Sequence, residues 1–136
     1  MARIKHVAIR TPDPEKTAAF YKEVFGLEEV GKALSGYYLS DGYINLAILK
    51  SSDQGTGASP RDMPGYAGID HLGFLVDDVD ETCRRLEAAG ATVREGRVDL
   101  RPATASAPGA YFETKYEGPD RQLIDISGHG WVGTSR

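Results

Sequence analysis

Two stretches of this chain repeat each other: IKHVAIRTPDPEKTAAFYKEVFG at residues 4–26 and IDHLGFLVDDVDETCRRLEAAG at residues 69–90. Aligning Ile4 with Ile69 lays His6 on His71, Asp13 on Asp78 and Thr17 on Thr82, with Gly26 and Gly90 within one residue of register. Internal self-similarity fixes architecture more tightly than local propensity does. Two copies predict a duplicated domain and not a solenoid, and 136 residues suffice for one sizeable core.

Each copy opens as a strand. In IKHVAIR, Val7 and Ile9 alternate with His6, Ala8 and Arg10; in IDHLGFLV, Leu72, Phe74 and Val76 alternate with His71, Gly73 and Leu75. Residues two apart share a face, so the bulkier apolar set packs on a helix and both histidines point the other way. A helix follows each strand. Asp13 caps the first with Pro14 at its first position, Ala18, Tyr21, Val24 and Phe25 form its apolar stripe, and Gly26 ends it. Asp78 caps the second with Glu81 suggesting a capping box, Val79, Thr82, Cys83 and Leu86 carry the stripe, and Gly90 stops it.

Three short strands close each copy: LEEVGKA, SGYYLS and YINLAIL in the first, with Asp41-Gly42 as a turn, and TVREGRV, AYFETKY and QLIDIS in the second, with GPDR (118–121) as the final turn. The pattern is βαβββ twice. The expected organisation is one domain over residues 1–136, with module 1 at 1–50, a linker at 51–68, module 2 at 69–127 and a tail at 128–136. The linker SSDQGTGASPRDMPGYAG reads as a mobile connector or as a lid, and LRPATASAPG (100–109) poses the same choice.

Composition narrows the function. Charged residues make up 26% and the net charge is −4, with no basic stretch long enough to track a phosphate backbone, so no nucleic-acid partner is expected. No apolar run approaches the roughly 18 residues of a membrane span, and the N-terminal residues carry no apolar leader pattern. Cys83 is the only cysteine, which excludes an intramolecular disulfide and fits a reducing cytoplasm.

The chain has three histidines, and two of them, His6 and His71, hold one position of the repeat. A twofold axis between the copies would bring them together as metal ligands, imidazole being the commonest transition-metal donor; structural use is the competing reading. Ile44-Asn45-Leu46 in the last strand of the first copy matches Ile124-Asp125-Ile126 in the second. A carboxylate between two isoleucines asks for a partner, which a cation held by two imidazoles supplies; a solvated place near the sheet end is the plainer alternative. His6, His71 and Asp125 then make a two-histidine, one-carboxylate set suited to Fe(II), with Mn, Ni, Co and Zn also fitting. Asn45 is either a weak neutral ligand or a substrate hydrogen-bonder in the cleft. Arg10 shares the face of His6 and meets a substrate anion or solvent. Tyr37, Tyr38, Tyr43, Tyr111, Phe112 and Tyr116 divide between core and cleft, Cys83 reads as packing, and Trp131 docks or frays.

The motifs H-x-x-I…P-x-x-x-x-x-F-Y-x-x-x-x-G-L in IKHVAIRTPDPEKTAAFYKEVFGLE, I-D-H-L-G-F-x-V-D-D-V-D at 69–80 and G-P-D-x-x-L-I-D-I at 118–126 carry a resemblance to the vicinal oxygen chelate superfamily of glyoxalase I, bleomycin resistance proteins, methylmalonyl-CoA epimerase and type I extradiol dioxygenases. The resemblance implies an α+β fold, two βαβββ modules forming a curved, mixed eight-stranded sheet with a cleft. It implies ligand positions at His6, Asn45, His71 and Asp125 for a divalent metal that chelates two neighbouring oxygens of a small substrate. Lyase, isomerase and ring-cleaving dioxygenase chemistries all lie within it. Asp125 stands where glyoxalase I enzymes usually keep a glutamate, and Asn45 cannot replace the carboxylate usual at its position. Extradiol dioxygenases add a tyrosine, for which Tyr116 or Tyr111 is the candidate here, and His129 is the spare histidine. The alternative within the same resemblance is a metal-free binder of the bleomycin-resistance type. A homodimer is expected on the same ground.

Overall fold

The structure, a computed structural model, describes residues 1–53, 63–99 and 112–135. Its elements follow the chain as β1 (Arg3–Thr11), α1 (Pro14–Phe25), β2 (Glu28–Ala33), β3 (Gly36–Ser40), β4 (Asn45–Lys50), β5 (Gly68–Leu75), α2 (Val79–Ala88), β6 (Thr92–Asp99), β7 (Phe112–Glu117) and β8 (Leu123–Ser127). The strands form one mixed eight-stranded sheet in the order β2-β3-β4-β1-β5-β8-β7-β6, which reads alike from either end. The two first strands, β1 and β5, pair antiparallel at its middle, and each pairs parallel with the last strand of its own module.

Local chemistry sets the helices as expected. Asp13 accepts from the Lys16 N–H, Pro14 begins α1, and Gly26 ends it at φ 68°, a left-handed conformation that costs glycine nothing. Asp78 accepts from the Glu81 N–H, but the Glu81 carboxylate turns outward to Arg84 and Arg85, so only half of the capping box forms. Both helices lie on one face of the sheet. Ala18, Leu39 and Ile48 make one core with Ile9 and Tyr21; Val76, Tyr116 and Ile126 make the other with Val79, Cys83 and Leu86. The α1 stripe is narrower than its sequence suggests: Val24 and Phe25 are 55% and 63% exposed. Phe25 packs its ring on Phe20 and Tyr21 instead of on the sheet.

Two register shifts govern the opposite face. Along the β1–β5 pair, His6 faces Gly73 after Ile4 faces Phe74, and His71 faces Ala8 before Ile69 faces Ile9. Lys5 and Asp70 are the extra residues, so a bulge sits beside each histidine and breaks the alternation of faces there. The last hairpin departs by one residue. Glu117 faces Leu123 across a turn closed by the Gly118 N–H on the Gln122 carbonyl at 2.8 Å, with Arg121 at φ 63°. A GPDR turn would place Glu117 opposite Gln122. Since side chains alternate strictly, that single residue exchanges the two faces of β7. Of the 51–68 segment, both ends are described and tied together, Ser51 Oγ to the Tyr66 carbonyl at 2.6 Å and the Gly65 N–H to the Ser52 carbonyl at 2.8 Å. Residues 100–109 and Tyr111 lie outside the described residues. Among the described residues no helix is long and apolar enough to cross a membrane.

Candidate metal centre

His6 on β1 and His71 on β5 meet across the central strand pair within one chain, on the face away from the helices. Their Nε2 atoms stand 3.2 Å apart. Behind each ring an oxygen fixes the other nitrogen: Asn45 Oδ1 is 2.8 Å from His6 Nδ1, and Asp70 Oδ2 is 2.9 Å from His71 Nδ1. The Asn45 amide is oriented by its own neighbour, since its Nδ2 donates to the Val132 carbonyl at 3.0 Å. Its oxygen therefore faces His6, and His6 Nδ1 carries the proton of the bond. With Nδ1–H donating on both rings, both Nε2 atoms are turned to one shared point.

Asp125 on β8 completes the set. Its Oδ2 lies 3.0 Å from His71 Nε2, and the ligand atoms of His6, His71 and Asp125 all fall within 4.8 Å of one another. The carboxylate is fully buried, with His71 Nε2 3.0 Å from Oδ2 and Lys115 Nζ 3.0 Å from Oδ1. A buried carboxylate needs cationic partners, since removing one from a buried pair costs about 3–5 kcal/mol, and here His71 and Lys115 supply them.

The charges divide unequally. Burial, reinforced by the His71 charge, pushes His6 down to about 3, so it stays neutral. Burial opposes a charge on His71 as well, but the Asp125 carboxylate and the bonds to Asp125 and Asp70 overcome it and raise His71 to about 9. Burial opposes the charge on Asp125, but the charge and hydrogen bond of His71, with Lys115 and Glu113, together hold it far below the carboxylate range. One proton thus occupies the space between two imidazoles and an acid.

Four residues join this site that sequence reasoning did not place there. Lys115 bridges Asp125 to Glu113, whose Oε2 is 2.6 Å from Nζ. Burial and the Asp125 charge push the Glu113 carboxyl up to about 7. Glu113 Oε1 in turn accepts from the Trp131 indole N–H at 2.9 Å. Asp70 is the fourth; simple alternation puts it on the helix face, and only the bulge turns it to His71.

The other described candidates lie as follows. Tyr116 faces the helices, packed at 3% exposure in the second core with its hydroxyl donating to Glu87 at 2.8 Å, on the other face of the sheet from Asp125. The longer hairpin turn is the reason: Lys115, not Tyr116, shares the face of Asp125. Arg10 is drawn away from any free anion, with Nε 3.5 Å from Asp70 and Nη1 donating to the Lys50 carbonyl at 3.1 Å. Asn45 has both ends of its amide engaged within the protein, so it acts as the outer partner of His6. Its match to Asp125 also fails in register. Asn45 faces His6, whereas Asp125 faces Gly73, two residues beyond His71. The register counterpart of Asp125 in module 1 is Ala47, opposite Ala8, and it offers no ligand atom.

Comparison with known proteins agrees with this architecture. The mycobacterial protein CFP32 (Mycobacterium tuberculosis) is 32% identical over 117 residues, covering 82% of this chain and 42% of its own. Lactoylglutathione lyase of Schizosaccharomyces pombe is 25% identical over 68% of this chain and 39% of its own. This chain therefore spans about two-fifths of the length of these curated relatives. Among solved structures, the Mn(II)-bound glyoxalase of Novosphingobium aromaticivorans shares the fold at a TM-score of 0.66 and 22% identity, over 100% of this chain and 42% of that one. Methylmalonyl-CoA epimerase of M. tuberculosis does so at 0.64 and 21%, over 91% and 85%. The family description Glyoxalase/Bleomycin resistance protein/Dioxygenase superfamily matches residues 3–124. With nearly the whole duplicated fold inside that match, the chain belongs to the Glyoxalase/Bleomycin resistance protein/Dioxygenase superfamily, the vicinal oxygen chelate proteins.

Proposed function

We propose that the chain is a divalent-metal-dependent enzyme that takes a small substrate by two neighbouring oxygens, with lyase, isomerase or ring-cleaving dioxygenase chemistry. The observation carrying this reading is the pair of Nε2 atoms 3.2 Å apart, each aimed by an oxygen on Nδ1, beside a buried carboxylate oxygen 3.0 Å from one of them. Donors on adjacent positions of one ion at about 2.1 Å stand about 3 Å apart, so His6, His71 and Asp125 fit a single small cation.

A divalent ion held there supplies Lewis-acid polarisation of the substrate oxygens. The protein's own groups do the rest. Asn45 and Asp70 lock ring orientation and tautomer, and such outer partners raise ligand basicity. Lys115 holds Asp125 Oδ1 and balances its charge. Glu113, titrating at about 7, can hold or release a proton on this face, which the Asn45 amide cannot do.

Lys115 also favours a second reading. An ammonium 3.0 Å from Asp125 Oδ1 gives the acid a cation of its own, as a metal-free binding protein would need. Equilibrium dialysis against Co(II) or Zn(II) separates the two. The enzyme reading expects about one equivalent per chain, lost in His6→Ala and His71→Ala, given the affinities of such donor sets. Uptake below about a tenth of an equivalent in the unmodified protein supports the binder and overturns the enzyme.

A further inference from the structure

The Nδ1 of His71 is held by its own strand, through the bulge that delivers Asp70. His6 is held by something else. After β8 the chain leaves module 2 and crosses to module 1, where Trp131 and Val132 reach His6 and Asn45. Trp131 stacks on the His6 ring, with centroids 4.8 Å apart and planes 5° from parallel, and is 4% exposed. The Val132 carbonyl orients the Asn45 amide, and that amide fixes His6 Nδ1. The segment is anchored at three further points on module 1: Ser40 Oγ donates to the Gly133 carbonyl at 2.8 Å, the Ser135 N–H donates to the Gly42 carbonyl at 3.0 Å, and Lys5 Nζ donates to Ser135 Oγ at 3.3 Å. The sheet is cut to receive it. A Cβ on Gly73 would lie 2.7 Å from Trp131 Cζ2 and Cη2 and from His6 Cβ. The absent side chain at Gly73 is what lets the indole reach the imidazole.

We propose that the segment Gly128–Ser135 is a working part of the metal centre, with Trp131 the positioning residue for His6, so that docking of the segment and binding of a divalent cation strengthen one another. This rests on the metal-dependent reading above. The segment supplies the ring stacked on His6 and the carbonyl that orients the Asn45 amide behind it, so releasing it frees the imidazole to turn its Nε2 away from His71. Linkage makes the effect reciprocal: a cation that needs His6 in place holds the segment down by the same factor.

The test uses Co(II) alone as probe, with three variants and one measurement on the unmodified chain. In Trp131→Ala and Gly73→Ala, Co(II) should bind about tenfold or more weakly, the range expected when a group behind a ligand is lost, and the Co(II) absorption bands should shift. Trp131→Phe keeps a stacking ring and should recover affinity to within about threefold, despite losing the bond to Glu113. Thermal unfolding without metal verifies that each variant is folded. Trp131 is the only tryptophan, so its fluorescence follows the segment directly and should change on Co(II) addition. In the unmodified protein, saturating Co(II) should slow chymotryptic cleavage after Trp131 by about the factor that docking contributes to affinity. Unchanged Co(II) affinity and spectrum in folded Trp131→Ala and Gly73→Ala would overturn the proposal while leaving the metal site standing. So would a cleavage rate indifferent to Co(II) should the variants not fold. An unmodified protein that takes up no Co(II) overturns both.

Discussion

His6 and His71 hold the same place in two copies of one fold, yet the copies secure them by different means. Module 2 is self-sufficient: its bulge supplies the charged partner Asp70, and its last strand supplies the charged ligand Asp125. Module 1 supplies a neutral partner, Asn45, no carboxylate at the register counterpart Ala47, and a ring face that Trp131 covers. Duplication fixed where the histidines stand. The residue types around them then split one symmetric frame into a charged half and a neutral half, and His71 takes the proton while His6 stays bare.

The largest effect should come from removing the charged half. Asp125→Asn takes one carboxylate from His71 and Lys115, leaving them paired with Asp70 and Glu113, and should cost about 2–3 kcal/mol of stability, read by urea unfolding. The same change should weaken Co(II) by more than about 100-fold, beyond the effect typical of an outer partner. Next come the two outer partners. Asp70→Asn and Asn45→Ala should each weaken Co(II) binding by about 10- to 100-fold. A loss in Asp70→Asn alone would show that His6 needs no support, and the asymmetry drawn above would break.

A third effect follows from protonation. His71 keeps its proton up to about 9 while His6 is already neutral, so a cation entering below that pH must expel about one proton. Affinity should therefore rise by about tenfold per pH unit between about pH 6 and 8 and level off above about 9. Calorimetry in buffers of different ionisation enthalpy measures the proton directly; none released would contradict the shared-proton arrangement. The smallest effect belongs to Tyr116, on the helix face. Tyr116→Phe should leave Co(II) binding unchanged and cost about 1 kcal/mol for the lost bond to Glu87.

The repeat made the fold and the His6–His71 pair legible, because an offset shared by caps, strands and helix ends admits few architectures. What stayed hidden lies in single-residue shifts that no periodicity records. The bulge at Asp70 reversed the face of an acid adjacent to a histidine. One extra residue in the hairpin turn exchanged Tyr116 for Lys115 beside Asp125. A two-residue difference in register between the last strands made Asn45 the outer partner of His6 and left Ala47 opposite Ala8, although the flanking residues Ile44-Leu46 and Ile124-Ile126 look equivalent. Trp131 left a weaker signal still: a lone aromatic in a glycine-rich segment indicates docking without saying where, and Gly73, its receptor, looks like an ordinary strand glycine.

The central claim is that two imidazoles and one acid converge on a single cation within one chain. Anomalous diffraction from crystals grown with Mn(II) or Co(II) tests it most directly. One peak is expected, bonded to His6 Nε2, His71 Nε2 and Asp125 at about 2.0–2.2 Å. A map with no peak there, and Lys115 still paired with Asp125 at saturating metal, would contradict it.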